Sequence, residues 1–124
     1  MATSKKKILA VDDQQEMLLL YRMRLGQEYE VVTAVDGKEA VERTVIERPD
    51  LILMDVMMPR MNGLEACRRI RQLSSNGDVP ILMATSCREE SVRQEAWASG
   101  CTDFLSKPTD WDLLADKIRG QLDR

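Results

Sequence analysis

The sequence predicts an α/β fold: one domain built on a five-stranded parallel sheet with five helices packed around it. Three observations lead there. Leu51-Ile-Leu-Met54 is an apolar run with no polar alternation, which reads as a strand covered on both faces. Strand-like and helix-like segments alternate five times along the 124 residues, with no repeat, low-complexity tract or internal linker. The strands also end in polar residues of a consistent kind: Asp12 and Asp13, Asp55, Thr85 and Lys107. In a parallel sheet all carboxyl ends lie on one edge, and open α/β sheets bind their ligands there.

Ile8-Leu-Ala-Val11 is the first strand, with Lys5 to Lys7 as a solvated lead-in. Gln14 to Leu25 is an amphipathic helix carrying Met17, Leu20, Tyr21 and Leu25 at three- and four-residue steps, with Gly26 as its C′ residue. Tyr29 to Val35, rich in β-branched residues, is the second strand. Asp36 caps the next helix, which turns Ala40, Val41, Thr44 and Val45 inward and stops before Pro49. After the central strand, Asn62-Gly63 is a loop signal, and Leu64, Cys67, Ile70 and Leu73 make the next helical stripe. Val79 to Ala84 is the fourth strand, Pro80 being tolerated near its start. Arg88 to Ala98 is a polar helix ended by Gly100, Phe104-Leu105 a brief fifth strand, and Asp110 to Leu122 a last helix.

Composition narrows the function classes. There is no histidine, which removes His-based acid/base chemistry and His-ligated metals. A net charge of -3 argues against nonspecific binding of nucleic acid. Cys67, Cys87 and Cys101 form no C-x-x-C pair, and their odd number fits a reducing cytoplasm. Cys67 and Cys101 read as small core residues, and Cys87 as a loop thiol at the mouth of the site. No stretch approaches the ~20 apolar residues a membrane span needs, and the start lacks the apolar region of a secretory signal.

Three carboxylates gathered at one edge repel one another and require a compensating cation. An oxygen-only donor set suits a hard ion such as Mg2+, which usually takes one or two protein carboxylates together with water and phosphate oxygens. A lysine and a hydroxyl opposite would complete a holder for phosphoryl oxygens. Singly, each residue has an ordinary reading as a turn, cap, surface or loop residue. Their joint placement at successive strand ends carries the argument.

Val11-Asp-Asp13, Met54-Asp-Val-Met-Met-Pro59, Asn62-Gly63, Ala84-Thr85 and Phe104-Leu-Ser-Lys-Pro108, in this order and spacing, resemble the receiver domains of two-component response regulators over essentially the whole chain. The resemblance implies a doubly wound sheet in the order 2-1-3-4-5, with the receiver over residues 5–124 and a short extension at 1–4. It implies that Asp55 accepts a phosphoryl group from a histidine kinase or a histidine phosphotransfer protein. Asp13 and Asp55 would ligate Mg2+ directly, Asp12 through water, and the backbone carbonyl of Met57 would add a ligand. Lys107 would pair with the phosphoryl oxygens, Thr85 would hydrogen-bond one of them, and Phe104 would turn inward as the switch aromatic.

The chain departs from the family pattern at several positions. Phe104 lacks a tyrosine's hydroxyl, and Ser86 stands where alanine is usual. Met57 and Cys87 flank the phosphoryl position, and neither offers a carboxylate or amide to hold an attacking water. A rival reading is a small Mg2+-dependent phosphatase or phosphotransferase, which also needs an Asp nucleophile. Asp55-Val-Met57 lacks the second acid such enzymes carry two residues on, and the chain has no cap segment. A receiver-like binder that works without phosphorylation is disfavoured because all five site residues are kept. With little sequence after the last helix, output is expected through contact with an output protein or dimer partner, without direct nucleic-acid or membrane binding, unless the chain is part of a larger regulator. Trp97, displaced by ~100° from the Val92/Ala96 stripe, is expected to border that output face with Phe104, Ser106 and Lys117.

Overall fold

The apolar runs form five strands in the computed structural model, which describes residues 5–86, 89–107 and 109–123: β1 (Lys7–Val11), β2 (Glu30–Ala34), β3 (Leu51–Asp55), β4 (Ile81–Thr85) and β5 (Asp103–Ser106). All pairs are parallel, in the order β2-β1-β3-β4-β5. Between and after them run α1 (Gln15–Leu25), α2 (Gly37–Glu47), α3 (Gly63–Arg71), α4 (Glu90–Ser99) and α5 (Trp111–Leu122). The expected fold class and strand order are those observed.

The unbroken apolar character of β3 follows from helices on both faces. Leu51 and Leu53 pack with Ile8, Ala10, Leu82 and Ala84 against Leu18, Tyr21, Leu114 and Ile118 of α1 and α5. Ile52 and Met54 join Leu9, Val11, Ile81 and Met83 against Ala40, Cys67, Ile70 and Ala96 of α2, α3 and α4. Alternate residues therefore serve two separate cores. Cys67 and Cys101 are buried, as expected, and burial pushes the Cys101 thiol up to about 12. Among the described residues no helix is long and apolar enough to cross a membrane.

Several local expectations shift. Lys7 begins β1 rather than preceding it, and its ammonium reaches Glu47 at 3.0 Å. Leu20 and Val45 were expected inward but are 39% and 55% exposed; the buried stripes run through Leu18 and Tyr21 on α1 and through Ala40 and Thr44 on α2, and Leu20 and Val45 each sit ~100° around the helix from Tyr21 and Thr44. Gly26 is right-handed at φ -67 instead of closing α1 in the left-handed region, because a further turn bonds Tyr29 N to Leu25 O at 2.9 Å. Gly100 does end α4 in the left-handed region, at φ 102. β4 starts at Ile81 rather than Val79. Pro80 has no N–H to give, though its carbonyl accepts from Ile52 at 2.9 Å. Arg71, from the end of α3, donates to the carbonyls of Gly100 (2.8 Å), Gly77 (2.9 Å) and Val79 (2.6 Å).

Candidate functional site

Strand register decides the site. Val11 pairs with Met54, Asp55 with Ala84, and Thr85 with Ser106, so the ends of β1, β3, β4 and β5 finish nearly level. Asp12 follows β1 and keeps the ladder for one more residue, its N–H meeting Ala34 O at 3.1 Å. Its Oδ1 accepts from Gln14 N at 2.9 Å, which helps open α1, and its Oδ2 accepts from Lys107 Nζ at 2.6 Å. Asp12 is almost wholly buried, whereas Asp13 is exposed at the rim.

Asp55 closes β3 with its side chain 12% exposed. Met57 N donates to its Oδ1 at 3.2 Å and Lys107 Nζ to its Oδ2 at 3.1 Å. Burial raises the Asp55 pKa above the ordinary carboxylate value; Lys107 opposes that shift and Asp12 adds to it. For Lys107, burial is the largest single influence and works against its charge, but the hydrogen bond and field of Asp12 and Asp55 outweigh it and hold the ammonium above its usual value. The lysine is set in place by its own N–H, which donates to Thr85 O at 2.9 Å, so β4 and β5 jointly aim it. Thr85 is fully buried at the end of β4. Met57 is 60% exposed at the mouth.

The loop carrying Met57 is pinned at two places. Gly63 approaches the end of β3 so closely that a Cβ there would lie 2.2 Å from Asp55 O. Gly37 does the same against Met61 O, at 2.3 Å, while donating its N–H to that oxygen at 2.9 Å. Both positions therefore require glycine.

A model of the response regulator receiver domain matches residues 8–119. The chain belongs to the response regulator receiver family. Response regulator MprA of Mycobacterium leprae is 41% identical over 119 residues, 95% of this chain and 51% of MprA. The alkaline phosphatase synthesis transcriptional regulatory protein PhoP of Bacillus subtilis is 40% identical over 104 residues, 83% of this chain and 42% of PhoP. The chain thus spans about half the length of these curated relatives. Among solved structures, chemotaxis protein CheY4 of Vibrio cholerae superposes with a TM-score of 0.89 at 36% identity, covering 96% of this chain and all (100%) of CheY4. The receiver domain of a Pseudomonas aeruginosa sensor histidine kinase, with magnesium coordinated in its own active-site cleft, gives 0.90 at 28% identity, covering 98% of this chain and 100% of that one. Receiver domains are signalling modules, generally not enzymes.

The receiver's acidic edge fits a divalent ion. Asp12, Asp13 and Asp55 each offer one oxygen, and those atoms lie within 4.8 Å of one another. An all-oxygen, carboxylate-rich donor set favours a hard cation. A single ammonium already shared between two of the three acids shows how strongly the edge calls for positive charge.

The residues expected at the output face divide between the two sides of β5. Phe104 packs toward the α4 side, where the Arg93 guanidinium lies 5.3 Å from its ring centre. Lys117 of α5 instead pairs with Asp103 at 2.6 Å. Trp97, one turn beyond Arg93 on α4, is 51% exposed, and Ser106 is exposed at the end of β5. Cys87 and Pro108 lie outside the described residues.

Sequence reasoning missed Arg93 and Tyr21. Arg93 looked like one charge among many on a polar helix, and only the α4–β5 packing gives it a partner. Tyr21 appeared as a core residue, but it also senses the charges of Lys107, Asp12 and Asp55, and burial pushes its phenol up to about 12. Its ring meets Trp111 edge-on at 5.8 Å, tying α1 to the start of α5.

Proposed function

We propose that this receiver is a cytoplasmic, phosphorylation-controlled switch of a two-component phosphorelay, with Asp55 as phosphoacceptor and residues 5–124 as the functional unit. The supporting observation is the placement of Asp55: a partly desolvated carboxylate at the sheet's carboxyl edge, 3.1 Å from Lys107 and grouped with Asp12 and Asp13. The donor is a phosphohistidine on a kinase or phosphotransfer protein. An Asp55 oxygen forms the new P–O bond as the P–N bond breaks, and the imidazole leaves with that electron pair and takes a proton from water. Such transfer needs alignment and charge neutralisation more than covalent help.

Asp13, Asp55 and the Met57 carbonyl would hold Mg2+, with Asp12 acting through water. Bound Mg2+ supplies charge neutralisation at the phosphoryl oxygens. Met57 N–H orients the carboxylate before transfer. Once Asp55 is phosphorylated, Lys107 exchanges its carboxylate partner for a phosphoryl oxygen, and the Thr85 hydroxyl donates to another. Movement of Thr85 makes room for Phe104 to turn inward, which changes the face formed by Trp97, Phe104, Ser106 and Lys117. An output protein or a dimer partner reads that change, with a coupling free energy of about 1–3 kcal/mol.

The test is incubation with acetyl phosphate and Mg2+, followed by intact-mass measurement. A gain of one phosphate that requires Mg2+ and disappears in Asp55→Asn is the expected result. Absence of that gain, or rapid turnover of varied phosphomonoesters, would overturn the reading.

A further inference from the structure

Asp36 carries out two tasks with its two oxygens. Oδ1 accepts from Glu39 N at 2.8 Å and caps α2, while Glu39 Oε1 reaches back to Val35 N at 2.9 Å. Oδ2 is left for Arg60, whose Nε donates to it at 2.6 Å. Asp36 is 6% exposed, so this acid is held inside the fold rather than waving at its surface.

Arg60 is an unusual partner. It lies on the loop between β3 and α3, five residues after Asp55, with φ 64. L-residues seldom adopt that left-handed conformation, and one persists there only where its surroundings fix it. The surroundings that fix it are on α2: the Asp36 carboxylate takes its side chain, and Gly37 N holds the next carbonyl, Met61 O, at 2.9 Å. The far end of the loop is fastened by Gly63 N to Val56 O at 2.8 Å. Between these fastenings lies Met57, whose N–H reaches the Asp55 carboxylate. The clasp thus sets the position of the backbone that faces the phosphoacceptor.

We propose that Asp36 and Arg60 are positioning residues for Asp55: their ion pair holds the β3–α3 loop so that the Met57 backbone meets both the Asp55 carboxylate and the divalent cation. This inference rests on the phosphoacceptor reading above. Neither residue touches the reacting atoms. The pair acts as outer support, and loss of such support typically lowers metal affinity by about tenfold or more.

The experiment uses the full chain with Arg60→Gly, Arg60→Lys and Asp36→Asn. Glycine accepts the left-handed backbone, lysine keeps the charge, and asparagine keeps an oxygen to cap α2, so each variant is expected to fold. Mg2+ affinity is measured by calorimetry on the unphosphorylated protein, and phosphoryl uptake from acetyl phosphate is followed across Mg2+ concentrations. Arg60→Gly and Asp36→Asn should weaken Mg2+ binding by about tenfold and shift uptake to higher Mg2+, with little change in the saturating rate. Arg60→Lys should recover most of the affinity. If Mg2+ affinity is unchanged in Arg60→Gly and Asp36→Asn while the melting temperature falls, the clasp is structural and the inference is wrong. If the unsubstituted chain itself neither binds Mg2+ nor gains phosphate, the phosphoacceptor reading fails and takes this inference with it.

Discussion

Strand β5 borders two regions held by different forces. Lys107, just past its end, lies 2.6 Å from Asp12 and 3.1 Å from Asp55, and all three side chains are 13% exposed or less. Solvent screens such contacts weakly, so removing Lys107 leaves two carboxylates there without a cation, whereas removing Asp55 still leaves Lys107 paired with Asp12. Phe104, within the strand, is half-buried and covered by the exposed Arg93 guanidinium at 5.3 Å. A contact of that kind is worth about 0.5–1 kcal/mol. The two regions thus differ severalfold in what it takes to rearrange them. A change of charge at the acidic edge is energetically large, whereas the contact that covers the nearby aromatic is weak.

The most severe way to break this contrast is Asp55→Asn, which should abolish phosphoryl uptake, read by intact mass. The same substitution tests the electrostatics. Because the folded-state pKa of Asp55 is raised, folding binds its proton more tightly. The resulting stability is fully present below the unfolded value, about 4, and is lost as pH rises through the raised folded value. Near neutral pH and without Mg2+, Asp55→Asn should therefore melt above the unsubstituted protein, and the gap should close on acidification. A gap independent of pH would mean that the carboxylate is not desolvated.

Lys107→Ala should lower unfolding stability by about 3 kcal/mol, since it strands two carboxylates, one of them fully buried. Added Mg2+ should restore part of this in denaturant titrations. Unchanged stability would place the edge in solvent and erase its difference from the aromatic face. A smaller effect is expected at Asp36, whose pKa is lowered first by the Glu39 N–H and further by Arg60. Asp36→Ala should cost about 1 kcal/mol at neutral pH. That contribution is present above the unfolded carboxylate pKa and lost as pH falls through the lowered folded value, so here the gap between the two proteins closes in acid because the native protein weakens. Asp36 and Asp55, on the same sheet edge, should thus respond to pH with opposite sign.

The smallest change is expected from Arg93→Ala, about 0.5 kcal/mol in stability. Its informative readout is Trp97 fluorescence in a Trp111→Phe background, which should respond more strongly to phosphorylation once Phe104 is uncovered. A Trp97 signal indifferent to both phosphorylation and Arg93 would move the output face elsewhere.

The sequence made the frame legible because it depends on local signals: apolar runs long enough for strands, an Asn or Asp at the start of α2, α3 and α5, and polar residues where strands end. Asp36, Asn62 and Asp110 each accept from the N–H three residues on, as their residue types suggest. The convergence of Asp12, Asp55 and Lys107 was also readable, since parallel topology alone brings strand ends together. What escaped notice depends on packing between elements. Arg60 carries no local mark of a left-handed backbone, because α2 imposes that conformation. Leu20 and Val45 fit a helical stripe by spacing, but neighbouring residues centre that stripe better on the sheet. Arg93 gains meaning only from the ring beneath it.

The hydrogen bonds of Arg71 bear on mechanics. By gripping Gly100 O together with the carbonyls of Gly77 and Val79, this side chain moors the C-terminal end of α4 to the end of α3 and the approach to β4. The opposite end of α4 begins at Glu90, five residues after Thr85. With Gly100 moored in this way, any displacement of α4 is expected to be smallest there and to grow toward Glu90, so that Arg93 would travel farther than Trp97.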